Sequence, residues 1–337
     1  MERTAILITA IVSMGVTGLL GFWMIPWLKR LKYGQTINKI GPTWHAAKEG
    51  TPTIGGLMFI IGTIVGLAVG YISMITETPQ FLSSQYQAEN VRLFAGIGAA
   101  LGFGAIGFLD DYLKVIHSRN LGLTAKYKIL LQVVIAALYL YIMSVFGAAE
   151  TTFSIPFFGA IDFGIWYYAI SMVFIVGIVN SVNLTDGIDG LATMVTFFVS
   201  IGFIIVATLY GYLGTGLLAT SVAGSCIGFV IWNFFPAKVF MGDTGSMFFG
   251  GAVVAMAYGV SFPALLILAG IVYLWESTSV MLQVAYFKIT KGKRIFRMTP
   301  IHHHFEMGGY SEIKIVVLFS AITVIGVAVA ILAAILM

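Results

Sequence analysis

Charge is what this sequence has least of. Only 9% of its 337 residues are Asp, Glu, Lys or Arg, against roughly 25% in an average soluble chain, while 59% are hydrophobic. That balance excludes a water-soluble globular domain and predicts an all-α polytopic membrane protein with the lipid bilayer as its solvent. Cysteine is almost absent. Cys226 stands alone in an apolar run, so an intrachain disulfide framework is excluded and the residue reads as a small buried hydrophobe. There is no internal repeat, low-complexity linker or polar stretch long enough for a soluble domain, so residues 1–337 read as one integral membrane domain. The net charge of +4 reports orientation before it reports partners, and nucleic acid is not among the partners expected.

The apolar residues fall in long runs. The first, Thr4 to Trp27, exceeds the length of a signal-peptide core and lacks a small-residue cleavage pattern, so it reads as a retained span. With about 20 apolar residues needed to cross a bilayer, candidate spans lie near 4–27, 53–75, 91–109, 126–147, 165–182, 191–212, 216–233, 246–261, 263–286 and 314–336. That gives about ten helices, with the Ser261-Phe262-Pro263 corner the least secure boundary. Under this count sixteen Lys and Arg fall on one side and only Arg3 and Arg92 on the other. The richer side is cytoplasmic by the positive-inside rule, which places both termini outside. Thr151 to Trp166, with turn residues Pro156 and Gly159, predicts a small extended or hairpin segment in an outer loop.

Every unusual polar cluster then belongs to an inner loop, which points to a single cytoplasmic active site. The Asn180 to Gly190 stretch packs two carboxylates, two Asn amides, a Thr hydroxyl and two Gly between apolar runs. Acids at a membrane boundary mark function, and the spacing of Asp186 and Asp189 lets a tight turn aim both into one small volume suited to a divalent metal or a polar ligand. A helix cap before Leu191 would occupy only one of these groups. Asp110-Asp111, near the end of the third span, point in different directions on a helix and can hold two roles, one toward a metal and one toward a nucleophile or its proton. Asp243, flanked by Gly242 and Gly245, has room for hydrated Mg²⁺, and Phe240 three residues earlier makes a stacking platform for a base. Lys48-Glu49-Gly50-Thr51-Pro52-Thr53 sets a cation before hydroxyls and glycine, which suits phosphate oxygens. His302-His303-His304 carries no neighbouring Cys and does not read as a zinc site. Beside Arg294 and Arg297 these imidazoles suit phosphate recognition and proton management.

Together, Asp110-Asp111, the Asn183 to Gly190 run and Gly242-Asp243-Thr244-Gly245-Ser246 resemble the polyprenyl-phosphate N-acetylhexosamine-1-phosphate transferase superfamily, along the whole chain. Pro300 to Glu306 resembles its muramoyl-pentapeptide branch. The resemblance implies transfer of phospho-MurNAc-pentapeptide from UDP-MurNAc-pentapeptide to undecaprenyl phosphate, giving lipid I and UMP with Mg²⁺ as cofactor. It also implies a ten-spanning homodimer in the bacterial plasma membrane with a cytoplasmic site. By the same resemblance Asp243 binds Mg²⁺, Asp110 and Asp111 serve the reaction at the lipid phosphate, and His302 joins the catalytic residues. Lys48, Thr53, Asn183, Asp186, Asp189, Asn233, Phe240, Ser246, Gln283, His303 and His304 match the nucleotide-sugar pocket. Whether a carboxylate deprotonates the lipid phosphate or first forms a phospho-enzyme stays open. Glu276 receives no role.

Two rivals are distinguishable. A GlcNAc-1-phosphate transferase of the same superfamily would use UDP-GlcNAc, and the His run argues against it. A secondary transporter would set its acids near the bilayer midplane, whereas these lie at one face.

Overall fold

A computed structural model describes residues 3–31, 48, 50–116 and 122–337. Glu49 of the first inner motif, and Lys32, Lys39 and Arg119 of the charge count, lie outside the described residues. Each apolar run contains helix: α1 Arg3–Arg30, α2 Gly56–Glu77, α3 Gln87–Ile116, α4 Ala125–Val145, α5 Trp166–Thr185, α6 Leu191–Tyr210, α7 Leu213–Asn233, α8 Gly242–Gly259, α9 Leu265–Ala269, α10 Ile271–Ile289 and α12 Glu312–Leu336, with the short α11 Ile301–Glu306 between the last two. The Thr151–Trp166 segment forms the expected hairpin, β1 Thr152–Ile155 antiparallel to β2 Gly159–Asp162, with Thr152 opposite Asp162.

Among the described residues eight helices, α1 to α7 and α12, are long and apolar enough to cross a membrane. Two of the ten expected spans depart from that pattern. The 246–261 run is part of α8, which begins at Gly242 and is buried from Thr244 to Gly259, so its surroundings are protein on all sides. The 263–286 run is not one helix. It divides at Gly270 into α9 and α10, where glycine, the weakest helix former after proline, lowers the cost of the break. The Ser261-Phe262-Pro263 corner is a true turn, with Ser261 in the left-handed region at φ 61°.

α8 is the axis that positions the site. Backbones approach it closely where side chains are small: a Cβ on Gly107 of α3 would collide with the Asp243 carbonyl, and one on Gly251 of α8 would meet Ala100 Cα at 2.6 Å. Small residues at helix crossings let van der Waals packing hold a bundle in lipid, where the hydrophobic effect does not drive helices together. The same device joins α1 to α2, with Thr17, Ser13 and Thr9 packed against Gly62, Gly66 and Gly70. Side chains turned outward are large and apolar, Trp23 and Val173 among them, as a lipid-facing surface requires.

Candidate active site

Three carboxylates meet where α3 passes the start of α8. One oxygen each from Asp110, Asp111 and Asp243 lies within 4.8 Å of the others. Asp111 earns its place electrostatically: its Oδ2 accepts from the Thr244 amide at 2.9 Å and the Thr244 hydroxyl at 2.7 Å, and its Oδ1 from the Asp243 amide at 3.2 Å. A carboxylate from α3 thus caps the first turn of α8, where free N–H groups and the helix dipole favour negative charge. Gly242, at φ 70°, makes this possible, since a Cβ there would lie 2.5 Å from Asp111 Oδ2 and 2.8 Å from Thr53 Oγ1. Asp110 turns its Oδ1 to the Leu123 amide at 2.7 Å.

Two lysines hold the acids together. Lys114 Nζ lies 2.5 Å from Asp110 Oδ2, 3.8 Å from Asp111 Oδ1 and 2.8 Å from Asp243 Oδ2, and Lys128, in the first turn of α4, reaches the same Asp243 oxygen at 2.9 Å. On the other side Asn183 donates to Asp243 Oδ1 and to Ser246 Oγ, both at 2.8 Å. In the sequence Lys114 and Lys128 stand out only as two of the sixteen basic residues on the richer side. The i,i+4 spacing of Asp110 and Lys114 was the available signal for one of them.

Within the Asp186–Asp189 pair the two carboxylates have different surroundings. Asp189 is buried, with Oδ1 on Lys48 at 2.7 Å and Oδ2 on the Ala237 amide at 2.9 Å. Lys48 also meets Glu312 Oε2 at 2.7 Å, and Glu312 accepts from the Asp189 amide at 3.0 Å. Asp186, just past α5, is pushed well above the usual carboxylate range by burial, then by the charges of Asp243 and Asp111 ahead of Asp189, with Lys48 opposing. The first loop is stitched to the fourth by backbone bonds, Phe240 N to Pro52 O at 2.9 Å, Gly55 N to Phe240 O at 2.8 Å and Gly56 N to Met241 O at 3.0 Å. These set half-buried Phe240 and Thr53 beside the acids.

Other expected pocket residues spend their polar groups inside the protein. Asn233 is buried, accepting from Thr193 at 2.9 Å and donating to Val239 O at 3.0 Å. Gln283 holds the fifth loop, accepting from the Ile295 and Phe296 amides and donating to Phe296 O. His304 Nδ1 accepts from the Arg297 amide at 3.1 Å, and His303 pairs with Glu306 at 2.6 Å. His302 is fully buried against Glu276, Nδ1 to Oε2 at 3.0 Å. Glu276, which receives no role from the sequence, and Glu312 therefore join the site's frame.

All five motif loops are joined here by the contacts above. The glycosyl transferase family 4 model matches residues 93–261. A phospho-N-acetylmuramoyl-pentapeptide-transferase of Clostridium perfringens is 44% identical over 322 residues, 95% of this chain and 96% of that protein. Proteins of the same name from Desulforamulus reducens and Listeria monocytogenes are 45% identical over 320 residues (94% of this chain, 92% of theirs) and 44% identical over 304 (90% of each). The chain belongs to the phospho-N-acetylmuramoyl-pentapeptide-transferase family. Within that family the region of the broader model, residues 93–261, takes in Asp110, Asp111, Asn183 and Asp243. The long matches to transferases of this name extend the relationship to the His302–His304 loop.

Proposed function

We propose that the chain transfers phospho-MurNAc-pentapeptide from UDP-MurNAc-pentapeptide to undecaprenyl phosphate, releasing UMP and leaving lipid I, at the cytoplasmic face of a bacterial plasma membrane. The observation that carries this reading is the Asp110–Asp111–Asp243 cluster, edged by Lys114 and Lys128, in a chain of this family. A diphosphate donor meeting a lipid phosphate gathers negative charge, so catalysis must neutralise and position before anything else. Asp243, with oxygens of Asp110 and Asp111 within 4.8 Å of its own, offers the hard carboxylate oxygen that fits Mg²⁺. When bound, Mg²⁺ supplies neutralisation and Lewis-acid polarisation at the donor's diphosphate.

The protein's own groups supply the rest. Lys114 and Lys128 offer ammonium charge to phosphoryl oxygens, and Asn183 orients Asp243. Asp110 acts on the lipid phosphate through Oδ2, the oxygen that meets the movable Lys114 side chain, while Asp111 is committed to α8. Phe240 stacks on uracil, with Thr53, Asp186 and Ser246 near it and the His303–His304 turn on the sugar-peptide side. The assembly proposed is a homodimer, as the resemblance implies. UMP release from UDP-MurNAc-pentapeptide in detergent, with undecaprenyl phosphate and Mg²⁺ present, tests the reading. Turnover of UDP-GlcNAc in its place would assign the chain to the other donor, and no UMP from either would refute transfer.

A further inference from the structure

A carboxylate and an imidazole are costly to bury together unless their polar atoms are matched. Glu276 of α10 and His302 of α11 are both 0% exposed. Glu276 Oε2 takes His302 Nδ1 at 3.0 Å and the His302 amide at 3.4 Å, which fixes both the ring and the start of α11. The opposite atoms, Glu276 Oε1 and His302 Nε2, are buried without a hydrogen-bond partner among the described residues. The Nε2 edge lies against the backbone of Gly187: a Cβ at that position would collide with Nε2 and Cε1. Gly187 follows Asp186 directly and lies four residues after Asn183, which holds Asp243.

From this we infer that Glu276 is a positioning residue, acting through the His302 ring, which is wedged beneath Gly187 and sets the height of the Asn183–Asp189 turn against Asp243. The sequence from α10 to the acid cluster is continuous: Glu276 orients the ring, the ring abuts Gly187, and the turn carries Asp186 toward Asp243 and Asp111. In this role His302 need not touch substrate, and its unpartnered Nε2 is the cost of a contact made by shape. The inference deepens the transferase reading and rests on it only for its kinetic arm.

The experiment is a pair of mutant cycles on the full chain in detergent, read by amide hydrogen exchange of the 184–190 turn and by UMP release. Glu276→Ala and His302→Ala should each speed exchange of the turn, and the double variant should be no faster than either. Displacing a turn by about 1 Å can cost on the order of 100-fold in rate, so kcat should fall by about that much, and donor KM should rise with it because the turn carries Asp186 of the proposed donor pocket. Glu276→Gln, which keeps an acceptor for Nδ1, should recover most of both readouts. Gly187→Ala should impair the wild type strongly and the His302→Ala variant by no more than about twofold, because the colliding ring is gone. Unchanged exchange in Glu276→Ala, or additive effects in the double variant, would overturn the inference. If the wild type released no UMP while exchange followed this pattern, the transferase reading would fail and the positioning role would stand.

Discussion

Asp243→Asn isolates what charge contributes at the cluster. Asp243 Oδ2 accepts from Lys114 at 2.8 Å and Lys128 at 2.9 Å, and Oδ1 accepts from Asn183 at 2.8 Å. These three partners are donors and the Asp110 carboxylate beside them is an acceptor, so an amide NH₂ gives up either the lysines or the Asn183 bond whichever way it turns. Pointed at the lysines, it sets N–H against two ammonium groups. Pointed at Asn183, it forces that side chain to give up either Asp243 or Ser246. One or two charge-assisted bonds at about 1.5–3 kcal/mol each are lost, and with 1.36 kcal/mol per tenfold the expected fall in kcat is about 10 to 10⁴. The fold should persist, because Lys114 keeps Asp110 and Asp111 and Asp111 keeps the α8 amides. UMP release at saturating Mg²⁺, alongside the thermal unfolding midpoint, measures both halves. Turnover within tenfold of wild type would refute the role of this charge, and a collapsed midpoint would make Asp243 structural instead.

Three further outcomes are expected. Phe240→Ala should raise the donor KM more than the lipid KM, by about the 1–3 kcal/mol of one base stack; equal KM values with chemistry limiting would remove Phe240 from the pocket. Glu312→Gln should weaken the clasp on Lys48 and on the Asp189 amide, costing about 1–3 kcal/mol in donor affinity, read by calorimetry; unaltered affinity would confine Glu312 to the end of α12. In a Cys226→Ser background, an impermeant thiol reagent outside intact cells should miss a cysteine at Lys291 and label one at Ser84, whereas outside labelling at 291 would turn the His302 loop away from the proposed cytoplasmic face.

Helix positions were legible because apolar runs of membrane length have few other uses, and their ends were not, because hydropathy does not see a helix that continues into polar surroundings. α3 illustrates this. The run suggested 109 as its end, yet the helix continues to Ile116, carrying Asp110, Asp111 and Lys114 on one continuous surface. The acids were legible because a carboxylate in so apolar a chain needs a reason. Their partners were not: Lys128 and Asp243 are 115 residues apart, and Lys48 and Glu312 264 apart. No local pattern encodes such pairs. The partners of Asp189, Lys48 and the Ala237 amide, were hidden for the same reason.

The two adjacent acids of α3 look equivalent in sequence and are made unequal by what surrounds them. Asp111 is bound by two backbone amides and a hydroxyl of α8, groups that cannot leave without unwinding the helix start. Asp110 has one oxygen on the Leu123 amide and the other on Lys114, and an ammonium on a four-carbon stem can shift toward an arriving phosphate while a backbone amide cannot. The same lysine also contacts Asp243 Oδ2, which Lys128 would still hold, so its movement would release Asp110 Oδ2 while Asp243 stays anchored in the space where donor and acceptor are proposed to meet. Rigidity at Asp111 and exchangeability at Asp110 are therefore complementary: the first fixes α8, and with it Asp243, so that the second has something fixed to work against.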